Sequence, residues 1–145
     1  MQSGHRMVVT LAVSLVIAGC GDGELTSEQQ VRKSAERFLT GWTEGDADAY
    51  CGAFVAVTDG LQFYDEQELS QAIARTERSC TRQFARGAAR HPGKLPLSFK
   101  LGKITVKGER ATVETTIQFR GKQRPERFPF KEVTDGNWRV VIVES

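Results

Sequence analysis

The side chains in this chain with most chemistry to offer are three cysteines, two histidines and two tyrosines. Cys20, Cys51 and Cys80 are far apart and form no CxxC redox motif. A cysteine nucleophile needs a base held against it, and nothing in the pattern orients His91 toward a thiol. His5 lies in the first twenty residues and His91 in a His-Pro-Gly loop, so a histidine metal cluster has no material. Tyr50 and Tyr64 could each donate a hydrogen bond to a ligand oxygen. Glu114 sits on the polar side of an alternating run. It would become a candidate base only if that side lined a cavity, where desolvation raises a carboxyl pKa. Otherwise Glu114 is a solvated surface group. Glycine-rich phosphate loops, Ser/His/Asp sets and metal-ligand spacings are missing from the sequence. No metal or nucleotide cofactor is expected, and an enzymatic activity has little to rest on.

The first twenty residues read as an address. A short polar start carries Arg6, and an uncharged run follows from Met7 to Ala18. The run is shorter than the about 20 apolar residues a membrane-spanning helix needs and fits a secretory leader. It ends in Ile17-Ala18-Gly19-Cys20, which resembles the lipobox of bacterial lipoproteins. That resemblance implies removal of residues 1–19 and diacylation (palmitate-type chains) on the Cys20 sulfur. More than one acyl chain makes a stable anchor. Residues 20–26 would be a tether and 27–145 a single domain, held on the extracytoplasmic face of the cell membrane.

That address bears on the two remaining cysteines. An even pair in an exported domain points to a disulfide, here Cys51–Cys80. Closing a loop of this length contributes about 3.5 kcal/mol on the loop-entropy model. Two buried free thiols are the alternative.

The elements that must position these groups follow from periodicity. Ser27 and Gln30 match a capping box. Val31, Ala35, Phe38, Leu39 and Trp42 then form one apolar helical stripe, with Gly41 and Gly45 near its end. Asp46 can cap a second short helix, with Tyr50, Ala53, Phe54 and Val57 facing inward. Thr58-Asp59-Gly60 breaks it, and Leu61–Tyr64 reads as a short strand or turn. Asp65 opens a third helix whose stripe is Leu69, Ile73, Thr76, Cys80 and Phe84. Beyond His91-Pro92-Gly93 the period becomes two. Ala111, Val113, Thr115, Ile117 and Phe119 alternate with polar residues, and a phase change near Gly102 predicts a bulge. Lys107-Gly108-Glu109 and Asp135-Gly136-Asn137 read as hairpin turns. The order is α+β, three helices and then about four antiparallel strands.

With Phe38-Leu39-Thr40-Gly41-Trp42, Gly45-Asp46-Ala47-Asp48-Ala49-Tyr50-Cys51 and Asp135-Gly136-Asn137-Trp138-Arg139-Val140, that order resembles the nuclear-transport-factor-like (cystatin-like, SnoaL-like) superfamily. The resemblance implies N-terminal helices packed in a curved antiparallel sheet, enclosing a conical cavity. Tyr50, Phe54, Glu114, Phe128 and Trp138 are the candidate lining. It fixes no activity, because the superfamily hosts both enzymes and non-catalytic modules.

Charge is divided along the chain. Residues 20–74 carry eleven acidic and three basic side chains, whereas 75–145 carry seven and sixteen. Arg75, Arg78, Arg82, Arg86 and Arg90 share one face of the third helix. That face is either an anionic-contact patch or a solvated surface. The function expected is a membrane-anchored, non-catalytic accessory module for a small apolar ligand or a cell-envelope partner. The rival is a small isomerase, dehydratase or hydrolase using a cavity carboxylate or tyrosine. Nucleic acid would require a cytoplasmic address and is set aside.

Overall fold

The computed structural model describes residues 23–58, 66–134 and 136–144. Cys20 and its leader, Leu61–Tyr64, and the Asp65 and Asp135 turn residues lie outside them. Helix α1 is Ser27–Glu44, α2 Ala47–Cys51 and α3 Glu66–Arg90, with a 3-10 turn at Pro92–Lys94. The strands are β1 Phe54–Thr58, β2 Ser98–Lys107, β3 Arg110–Phe119, β4 Lys122–Thr134 and β5 Asn137–Glu144. They form one curved sheet in the order β1-β5-β4-β3-β2, and the helices pack against it.

Two details differ from the sequence reading. The capping box is Thr26 with Gln29, one residue earlier than the Ser27–Gln30 pair. Both pairs satisfy the same pattern. Gln30 is engaged elsewhere, its Oε1 accepting from Trp138 Nε1 at 3.1 Å. The second correction is larger. The helix after Asp46 stops at Cys51, and Phe54–Thr58 is a strand, making five strands instead of about four. It runs parallel to β5, with Phe54 opposite Val140, so the sheet is mixed. Gly52 ends the short helix, and the run Phe-Val-Ala-Val-Thr has the β-branched and aromatic content that suits a strand.

The core lies between α1 and the concave sheet face. Val31, Ala35, Phe38 and Leu39 are buried on α1, facing Ala111, Val113 and Ile117 of β3, Phe130 of β4, and Trp138 and Val140 of β5. Gly41 is buried because α2 approaches closely: a Cβ there would come within 2.6 Å of the Tyr50 nitrogen. The β2–β3 register shifts between Leu101 and Ile104, at the bulge expected near Gly102. β5 pairs with β4 only from Phe130 onward. The stretch that carries Pro125 and Pro129 is therefore bonded on one side only, where a missing N–H costs no ladder bond. Cys51 and Cys80 are joined by a disulfide, Cα–Cα 5.6 Å, which ties α2 to α3.

Candidate functional site

The cone interior is built around Phe38. Its ring lies 5.3 Å from Tyr50, 5.1 Å from Phe54 and 5.1 Å from Phe128, centroid to centroid. Tyr50 in turn stacks on Phe84 of α3 at 4.4 Å, and Trp42 meets Phe119 edge-on at 5.9 Å. Offset and edge-to-face pairs of this kind each contribute about 0.5–1.5 kcal/mol beyond area burial. Three of the five expected lining residues, Tyr50, Phe54 and Phe128, thus come together around Phe38, between helices and sheet. Burial raises the Tyr50 hydroxyl above its usual value of 10.0, so it stays protonated as a donor.

Trp138 is 2% exposed, lies in the same core as Phe38 and Phe54, and donates its indole N–H to Gln30. Glu114 corrects the reading in which it lined the cavity. Its strand neighbours Val113 and Thr115 are buried toward the helices, so Glu114 projects from the opposite face. There it pairs with Arg127 at 3.0 Å, beside an open groove of about 500 Å³ that includes Gly102 and Pro125. The carboxylate that shares the inner face is Glu126. It is opposite Thr115 in register and lies two residues from Phe128. It is ion-paired with Arg124, whose guanidinium sits 5.0 Å from the Phe119 ring. The alternation Phe130, Phe128, Glu126, Arg124 was the available signal, but the two prolines obscured it as a strand pattern.

Arg139 also escaped the sequence reading. From β5 its Nη1 donates to the Gly52 carbonyl at 2.7 Å and to Glu77 Oε1 of α3 at 3.1 Å. Its Nε is buried without a partner. The residue fastens the start of β1 to α3. Arg75, Arg78, Arg82, Arg86 and Arg90 are all exposed on α3. The Arg82 side chain donates back to the Arg78 carbonyl at 3.3 Å.

A second concavity opens where α1 and α3 end. It holds about 220 Å³ and is lined by Trp42 and Phe84, with His91 and Lys94 among its other residues. Among the described residues no His, Cys, Asp or Glu group is arranged to hold a metal ion. No described helix is long and apolar enough to cross a membrane.

No protein-family model matches the chain, and no curated protein does. Solved structures do resemble it. A protein described as an NTF2-like transpeptidase from Campylobacter jejuni is 13% identical, with 77% of this chain and 97% of that one covered, at a TM-score of 0.46. An NTF2-like protein from Shewanella oneidensis is 14% identical over 77% and 91%, at 0.43. A designed protein with a curved β-sheet is 16% identical over 81% and 88%, at 0.44. At these identities the likeness is one of shape, helices on a curved sheet.

Proposed function

We propose that this chain is a lipid-anchored accessory module of the cell envelope that acts by contact and not by catalysis. The observation that carries this reading is the aromatic cluster inside the cone. Phe38, Tyr50, Phe54, Phe84 and Phe128 occupy the place where a cavity enzyme would hold its substrate. A cavity enzyme of this shape would also want an inward, desolvated carboxylate. Glu114 faces outward, and Glu126 is tied to Arg124. The partner would be anionic, a headgroup surface or an envelope polymer or protein. It would meet the arginine row on α3. Cys20 would supply the anchor, with residues 20–26 as tether.

The test is recovery of partners from the native membrane by the full chain. It is repeated with Arg75, Arg78, Arg82 and Arg86 all changed to Ser. Loss of the recovered partner supports the arginine surface, and unchanged recovery removes it. Cys20→Ser should abolish acylation and release the protein from the membrane fraction. An unmodified Cys20 in protein taken from its host would overturn the anchor.

A further inference from the structure

We propose that the notch between the C-terminal ends of α1 and α3 binds a small organic acid with a single ring or short acyl body. The rings inside the cone pack on one another, whereas this space is open. Trp42 and Phe84 give it aromatic walls, and Ala88 and Leu95 add aliphatic ones. Two exposed basic residues of the turn that follows α3, His91 and Lys94, also line it. Apolar and aromatic walls with a few polar groups beside them are the usual make-up of a small-molecule site, and this one is open to solvent on one side. A cation next to aromatic walls selects a carboxylate on an apolar body. The size sets the class of ligand. About 220 Å³ is below the ~300–1,000 Å³ of sites for drug-sized molecules.

A second observation points to the same place. Gly87 lies inside α3, where glycine weakens a helix relative to alanine. Its backbone is not in the left-handed region, and a Cβ there would meet nothing within 4 Å. Neither turn geometry nor close packing therefore accounts for a glycine. It lines the notch, and its bare backbone leaves room for an approaching ligand. The site is independent of the anchor and of the α3 arginine row. It can fail while the proposed envelope contact stands, and the reverse also holds.

The test is equilibrium dialysis of the full purified chain against 4-phenylbutyrate and its uncharged counterpart 4-phenylbutanol. Dialysis of the solvent without protein corrects for partition. The acid should bind saturably and more tightly than the alcohol. Lys94→Gln should weaken the acid by about two- to fivefold, as an exposed ion pair allows, and leave the alcohol unchanged. Gly87→Leu should abolish binding of both while the circular dichroism and thermal melt remain those of a folded protein. If Gly87→Leu does not fold, Ala88→Leu takes its place. Non-saturable uptake by the unaltered chain, or full binding by the notch-filling variant, overturns the site. Equal affinity for acid and alcohol overturns the carboxylate specificity.

Discussion

Helices α1 and α3 are both amphipathic, and they do different work. On α1 four consecutive stripe residues, Val31, Ala35, Phe38 and Leu39, are at most 1% exposed. On α3, which is 25 residues long, Leu69 and Ala72 are the buried residues, and the rest of its stripe is half-covered. The hydrophobic term scales with apolar area taken from water. It therefore holds α1 firmly and α3 weakly. α3 is instead held by discrete ties: the disulfide to α2, the Glu77–Arg139 contact and the Tyr50–Phe84 stack. A helix attached in that way is free to carry a charged row outward and a notch at its end.

Phe38→Ala should give the largest effect. The ring is buried and touches four other aromatic rings. Truncation should cost about 3–5 kcal/mol in chemical denaturation. Trp42→Ala should cost less, because Trp42, although on the apolar stripe of α1, is only half-buried at the edge of the notch. Equal costs for the two would mean that α1 does not bury the face described.

Removing the α2–α3 link tests the other side of the comparison. The double change Cys51→Ala, Cys80→Ala should lower stability by about 3.5 kcal/mol, the loop-closure value for a span of this length. Amide hydrogen exchange should rise most in α3 and least in α1. Uniform acceleration across both helices would show that α3 is as deeply held as α1.

Much of this contrast was legible in the sequence. The α1 stripe, the alternation of β3 and the Cys51–Cys80 pair all follow from local pattern, because each depends on residues close in sequence or of one rare type. What was not legible depends on distant partners. Phe54–Thr58 has residues that suit a strand, but the edge it pairs with, β5, lies some 85 residues later. Gln30 leaves the capping box because a tryptophan on the last strand claims it. The aromatic cluster comes from rings on α1, α2, β1, α3 and β4 converging, and no single segment announces that. For Glu114 the sequence leaves a cavity base and a solvated surface group both open. Alternation says that two faces differ, not which one the helices cover.

A smaller effect belongs to Tyr50, which links the two helices through Phe38 and Phe84. Its folded-state pKa is raised by burial, so the folded form keeps its proton where the unfolded chain loses it. Its contribution to stability is fully present below pH 10. It declines as pH rises from there through the raised folded value. Tyr50→Phe should flatten that part of the stability–pH curve while leaving the slope near neutrality unchanged. An identical alkaline slope in the variant would place the hydroxyl in water.

The smallest effect is expected at Glu114, and it bears on which face of the sheet is which. The Glu114 and Arg127 side chains are 44% and 76% exposed, and their ion pair lies on the side of β3 away from the helices. An exposed pair of this kind contributes about 0–1 kcal/mol and is screened by salt. Glu114→Gln should therefore change stability by no more than about 0.5 kcal/mol, and by less at high ionic strength. The neighbouring Thr115, 4% exposed, donates its hydroxyl to the Lys100 carbonyl at 3.0 Å. Thr115→Val would leave that carbonyl without its side-chain donor and should cost about 1 kcal/mol or more. The order of these two adjacent residues is the decisive measurement. If the glutamine change were the costlier, Glu114 would be a buried, desolvated carboxylate, and the cavity-enzyme reading would regain its base.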